Sequence, residues 1–333
     1  MFMSDTAAGH FCTYSAELIV DRNQYQNTLL SVSRDVATQS YLLSQSKTRI
    51  AAMGLLVKQV YDMAHIEDHG YSERREDAAS IGGLVLLLTD IVDDQVDIPD
   101  MPLEEKFQYL DQGMSSLLYG VATPPETDYP ANGDIQAMRA SFDLAIYLHQ
   151  RLSSLGSIDS LRAVIEPLVD DIKEQFTSRD LARQLILTRA IGANCGVIAA
   201  VATEAVDGAN YPSLVEAAKG IGGYAQCLDN AYEIKKDIAE GSISYATLLL
   251  DQQGNTARNR RTARDVLTKE AQLSYEEGGI SLTHNQSVIY SAAKRLIEVK
   301  YKIYGRLTGY QAPRFSLPTR VGLEGVANAA STN

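Results

Sequence analysis

The chain has no tryptophan, only 3 cysteines and 9 prolines in 333 residues, and fewer cations than anions, 30 Lys+Arg against 42 Asp+Glu. Each scarcity excludes something. Cys12, Cys195 and Cys227 are odd in number and form no CxxC pair, which argues against a disulfide framework or a cysteine-rich zinc site. A formal net charge of −12 repels nucleic-acid phosphates and anionic lipid heads, so no nucleic-acid partner is expected. The longest apolar runs, Ile81–Leu88 and Gly196–Ala202, fall short of the ~20 residues that span a bilayer, so no transmembrane segment is expected. The N-terminus shows no Lys/Arg-led apolar stretch of the signal-peptide kind, and a cytoplasmic location is the expectation. No GxSxG, Walker A or GxGxxG pattern is present, which removes the simplest hydrolase, NTPase and dinucleotide readings.

What is present is helical periodicity. Between the proline clusters at 99–102, 124–130 and 313–318, apolar residues recur at three- and four-residue steps. The pattern predicts helices over about 25–44, 46–66, 73–97, 103–119, 132–153, 158–177, 179–205, 212–239, 256–276 and 284–308. Alternating strand patterns are nearly absent. The expectation is an all-α chain: one helical domain over 1–310, with a tail over 311–333 and a loop over 120–134.

Two acidic stripes interrupt these helices. In the first, LLLTDIVDDQVD, Asp90, Asp93, Asp94 and Asp97 are spaced three, four and seven apart and share a helix face. Like charges at these spacings cost a few tenths of a kcal/mol per pair, and the macrodipole disfavours anions at a helix C-terminus. A sequence that carries both penalties directly after an apolar run points to a bound cation, and hard oxygen donors suit Mg²⁺. A solvated acidic face before a turn is the plainer alternative. An EF-hand does not fit, because no glycine follows at the sixth position. The second stripe, in AQCLDNAYEIKKDIAEG, places Asp229, Glu233 and Asp237 at i, i+4 and i+8, with Gln226 and Asn230 beside them. Two such stripes would face one another across a bundle core, where helical proteins build metal sites.

Together these motifs resemble those of the class I isoprenoid synthases, the superfamily of trans-prenyl diphosphate synthases and terpene cyclases. Asp93-Asp94-Gln95-Val96-Asp97 resembles the first aspartate-rich motif, DDxxD, and Asp229-Asn230-Ala231-Tyr232-Glu233 resembles the second. QSKTRIAAM, with Lys47 and Arg49, looks like the basic element near the N-terminus of prenyl synthases. Arg189 falls about where those enzymes place a diphosphate-binding lysine, and Arg183 about where terpene cyclases place a diphosphate-sensing arginine. The pattern departs from chain-elongating enzymes in two ways. DIPDMPLEEK, without an arginine pair, follows the first motif, and Asn230 and Glu233 replace aspartates in the second. The set is most similar to the large-terpene synthases, which cyclise.

The resemblance implies a helical bundle with a central apolar cavity. It also implies a Mg²⁺-dependent terpene synthase, a carbon–oxygen lyase that ionises and cyclises a linear prenyl diphosphate. The alternatives are a trans-prenyltransferase that elongates with isopentenyl diphosphate, and an inactive partner subunit. On this reading two or three Mg²⁺ ions are held by Asp90, Asp93, Asp94, Asp97, Asp229, Glu233 and Asp237. Asp93, Asp97, Arg183 and Arg189 carry catalysis, and Lys47, Arg49, Gln226, Lys236 and Tyr232 bind substrate. A homodimer is plausible by resemblance. Tyr and Phe are the aromatic residues left to stabilise a carbocation. Gly192, Gly196, Gly222 and Gly223 either open the cavity or pack two helices closely. His65 and His69 do not form an HExxH zinc motif, and the Arg258–Arg264 run reads as a solvated helix start, with capping of the diphosphate as the alternative.

Overall fold

The computed structural model describes residues 29–33, 35–66, 73–98, 101–121, 134–209 and 211–307. Within these, no strand occurs and the regular elements are all helices. They are α1 (Val36–Ala64), α2 (Glu73–Val96), α3 (Leu103–Tyr119), α4 (Ile135–Ser154), α5 (Ile158–Thr177), α6 (Leu181–Asp207), α7 (Pro212–Tyr232), α8 (Ile234–Glu240), α9 (Tyr245–Gln253), α10 (Ala257–Gly279) and α11 (His284–Leu307). The expected all-α class is observed. The tail over 311–333, most of the 120–134 loop and His69 lie outside the described residues.

Four expectations change. The break expected near residue 45 lies upstream instead, between a helical turn over 29–32 and α1; the start of α1 is capped by Asp35, whose carboxylate accepts from the Thr38 backbone N–H at 2.8 Å. The expected 212–239 helix breaks at Glu233 into α7 and α8, and α9 was not expected at all. Finally, α6 is long and apolar enough to cross a membrane, so the expectation that no segment qualifies is corrected. The short run Gly196–Ala202 understated it, because Ile186, Leu187 and Ile191 extend the apolar character upstream. In the fold 61% of its most apolar window is buried.

A large apolar cluster holds α1 to α7 around α2, whose Leu84, Val85, Leu87 and Leu88 are at most 1% exposed. Side chains of this size each contribute ~1.5–3 kcal/mol when removed from water. A second cluster joins α7 to α9 and α10 through Tyr224, Leu228, Tyr232, Leu249 and Leu267, and takes in Tyr301 of α11. Between α6 and α7 the backbones nearly touch. A Cβ on Gly196 would lie 2.0 Å from the Ala218 carbonyl oxygen, and one on Gly222 2.0 Å from that of Gly192. Of the two readings of these glycines, close packing is the one observed. That contact fixes α7, and with it the second acidic stripe, against the wall formed by α6.

Candidate active site

The two acidic stripes meet. Asp90 and Asp93 on α2 and Asp97, one residue past its end, lie at i, i+3 and i+7 on one stripe, and all three line a cavity of about 270 Å³. The opposite wall comes from the end of α7 and the start of α8. Gln226 and Asp229 lie on the last two turns of α7, Glu233 at the junction, and Lys236 and Asp237 on α8. The break at Glu233 is a single residue with φ −92° and ψ 8°, and its N–H still bonds to Asp229 at 2.9 Å, so the stripe stays nearly in register. Gly241, at φ 70°, then ends α8 in the left-handed region and turns Ser242, Ile243 and Ser244 back onto the cavity rim. Apolar side chains line the rest: Met53 of α1, Leu86 of α2, Leu168, Ile172 and Phe176 of α5, and Ile191 of α6.

Six carboxylates therefore share one cavity with a single cation, Lys236, among its described lining residues. At an effective dielectric of ~20, two like charges ~5 Å apart repel by ~3 kcal/mol, far more than the few tenths of a surface helix pair. The protonation equilibria register this. Burial pushes the Asp93 carboxyl well above its ordinary range, with Asp97, Asp90 and Asp94 adding to the shift and Lys236 opposing it. Asp93 itself is exposed to solvent where it lines the cavity. Burial and the neighbouring Asp229 raise Glu233, against the pull of Lys236, which is 3.3 Å away. Asp237 is pushed up to about 7, again chiefly by burial; the Ser244 hydroxyl, which donates to it at 3.1 Å, opposes the shift. Asp97, on the far wall, adds to the shift of Asp237, so the two stripes act on each other through the cavity.

A divalent cation would relieve this repulsion, and the donors fit a hard one: carboxylate oxygens with no nitrogen ligand among them. Cys195 also lines the cavity, but burial, with Asp93 and Asp90, pushes its thiol up to about 12, so it stays protonated. Among the described residues no three carboxylate, histidine or cysteine side chains already converge on one ion. The arrangement therefore suits Mg²⁺ held by one or two carboxylates and completed by a ligand's oxygens.

Other expected residues lie elsewhere. Asp94 of α2 is exposed and is not among the cavity-lining residues, because at 100° per residue it falls on the rim of the stripe. Arg183 pairs with Glu174 through two 2.5 Å contacts, at the surface between α5 and α6. Arg189 turns toward α10, where it donates to Ser274 at 3.0 Å and pairs with Glu270 and Glu277. Tyr232 points into the second apolar cluster and stacks on Tyr301 at 5.2 Å. Lys47 and Arg49 lie on α1, six and four residues before Met53, but their side chains fall outside the described residues. Asn230 bridges α7 to α6: its amide donates to Thr188 and its oxygen accepts from Gln226, both at 3.3 Å.

Two contributors went unpredicted. Phe176 presents its ring to the cavity, and Lys106 of α3 lies 5.0 Å from that ring's centroid. Burial lowers the pKa of Lys106, with Asp97 opposing the shift. The other is Tyr301, described below.

No protein-family model and no curated protein sequence matches the chain. Solved structures do match. A polyprenyl synthase from Caulobacter crescentus CB15, complexed with calcium and isoprenyl diphosphate, aligns with a TM-score of 0.56 at 14% identity, covering 88% of this chain and 98% of its own. A decaprenyl diphosphate synthase from Rhodobacter capsulatus aligns at 0.53 and 12%, over 87% and 98%. The geranylgeranyl pyrophosphate synthetase of the archaeon Geoglobus acetivorans aligns at 0.50 and 13%, over 85% and 99%. The fold is that of the class I isoprenoid synthases.

Proposed function

We propose that this chain acts on an allylic prenyl diphosphate, ionises it with the help of divalent metal ions, and transfers the prenyl group to isopentenyl diphosphate. The observation that carries the reading is the pair of carboxylate walls, Asp90/Asp93/Asp97 and Asp229/Glu233/Asp237, in a cavity also lined by apolar side chains. Similarity in fold to prenyl diphosphate synthases supports elongation over cyclisation.

Bound Mg²⁺ would supply Lewis-acid neutralisation of the diphosphate charge. The chain's own residues do the rest. The two walls fix the ions, and so the head group, between them. Lys236 and Gln226 donate to phosphate oxygens, adding positioned hydrogen bonds where charge develops as the carbon–oxygen bond breaks. Leu86, Leu168, Ile172 and Ile191 keep water from the cation, and the face of Phe176 offers it π density. Lys47 and Arg49 are proposed to hold the second diphosphate, a role that follows from their resemblance to the basic element of prenyl synthases.

Cyclisation is the second reading. Lys236 is the single cation among the described lining residues, whereas elongation requires two diphosphates to be held at once. One experiment separates the two. The purified full chain is incubated with Mg²⁺ and allylic diphosphates from C10 to C25, with and without isopentenyl diphosphate, and products are identified by mass spectrometry. Longer diphosphates that form only with isopentenyl diphosphate support elongation, and hydrocarbons formed without it support cyclisation. No turnover of any substrate refutes both.

A further inference from the structure

The last described helix, α11, reaches the second carboxylate wall. Tyr301 is 2% exposed, and its hydroxyl has two acceptors within reach, Asp229 Oδ1 at 2.5 Å and the Ala225 carbonyl at 3.5 Å. A phenol has one proton to give. Distance assigns it to Asp229, a hydrogen bond to a charged acceptor and so among the stronger kinds. Lys300 supports the arrangement from outside. Its ammonium donates to the Tyr301 hydroxyl at 3.2 Å, lies 4.7 Å from the centroid of that ring, and is 3.6 Å from Asp229 Oδ1. The Tyr301 ring is itself held by its stack on Tyr232, at 5.2 Å and 25°. None of these contacts is local in sequence: Tyr301 and Asp229 are 72 residues apart.

We propose that Tyr301 is the positioning residue of Asp229. With Oδ1 engaged by the phenol and Lys300, Asp229 is left with Oδ2 for a metal ion, which makes it a single-oxygen ligand with a fixed carboxylate plane. The C-terminal helix thereby becomes part of the second metal half-site although none of its described residues lines the cavity. The inference rests on the proposed function above, in which that wall binds a divalent ion. Partners that orient a metal's ligand are worth ~10- to 100-fold in affinity.

The test is titration calorimetry of the metal-free full chain with Mg²⁺ alone, on wild type, Tyr301→Phe, Asp229→Asn, the double variant and Tyr224→Phe. Tyr224 is the control for structure. It is also a buried tyrosine of the same packing region, and it donates to the carboxylate of Glu298 at 3.2 Å, away from the cavity. Tyr301→Phe is expected to weaken Mg²⁺ binding by about 10-fold or more, Tyr224→Phe to leave it unchanged, and the double variant to bind no more weakly than Asp229→Asn. Equal affinity of Tyr301→Phe and wild type overturns the positioning role and leaves the metal site standing. So does an effect of Tyr224→Phe as large as that of Tyr301→Phe, or additivity in the double variant. Failure of the wild type to bind Mg²⁺ at millimolar concentration, both alone and with inorganic diphosphate present, overturns the proposed function itself.

Discussion

A single methyl group on Gly222 tests whether the α6–α7 contact positions the site. That Cβ would lie 2.0 Å from the Gly192 carbonyl oxygen and 2.8 Å from the Gly196 amide nitrogen. A comfortable carbon–oxygen contact is ~3.3 Å, so Gly222→Ala must part the helices by ~1.3 Å. The opposing atoms are backbone, with no side chain able to swing aside. The cost therefore belongs at the upper end of the ~1–3 kcal/mol typical of overpacking. Against a total stability of ~5–15 kcal/mol this is a large fraction. In a domain of this size ~3 kcal/mol corresponds to a fall in Tm of ~4 °C. The displacement also carries Asp229, two turns further along α7, away from the α2 wall. Gly113→Ala on α3 is the opposite case: its Cβ would meet Val92 at an ordinary 3.6 Å. In a helix interior the change from Gly to Ala gains ~0.5–1 kcal/mol. Thermal unfolding followed by circular dichroism, with Mg²⁺ titration alongside, reads both variants. An unchanged Tm for Gly222→Ala, or losses of equal size in both variants, refutes the reasoning.

Other consequences follow from the charges. The raised Asp237 holds its proton in the folded chain up to pH about 7, whereas an unfolded carboxyl releases it near ~4. The contribution of Asp237 to the stability of the metal-free protein is therefore greatest below ~4 and is lost as pH rises to ~7. Mg²⁺ should reverse that trend, so the gain in Tm on adding Mg²⁺ is expected to be larger at about pH 8 than at about pH 5; a gain independent of pH contradicts this. Lys58 and Glu76 form a buried ion pair at 2.8 Å between α1 and α2, and Glu76→Leu, measured by urea denaturation, is expected to cost ~3–5 kcal/mol. Arg189→Ala removes ion pairs at the edge of α10, and is expected to cost ~1 kcal/mol or less and to leave Mg²⁺ affinity unchanged. A tenfold weakening would return Arg189 to the site.

Helices with strong punctuation were legible in the sequence. Those over 103–119 and 158–177 were placed to the residue, with Pro102 and Ser157 immediately before them. The N-terminal break was misplaced at Ser44-Gln45-Ser46, because a helix interior tolerates such residues at a few tenths of a kcal/mol each. The nine-residue α9 escaped periodicity because it is short, yet its signal was present: Ser244 and Thr247 form a capping box, and Gly254 ends the helix. In the site, the carboxylates could be read because helical spacing alone puts them on one stripe. The arginines could not. Whether Arg189 faces a cavity or α10 depends on Glu270 and Glu277, some eighty residues away, and no local pattern encodes that meeting. Tyr301 was out of reach for the same reason. A stripe of Tyr290, Lys294 and Tyr301 on α11 marks a face packed against something, but does not say that Asp229 lies beneath it.

The central claim is that the two carboxylate walls act as one metal-dependent site for a prenyl diphosphate. Release of inorganic diphosphate from an allylic prenyl diphosphate tests it most directly, compared in wild type, Asp93→Asn and Asp229→Asn with Mg²⁺ or with chelator. The account predicts release by wild type only with Mg²⁺, and a loss on the order of 100-fold or more in each variant, with helical content and Tm preserved. Release that persists in chelator, or in either variant at the wild-type rate, would contradict it.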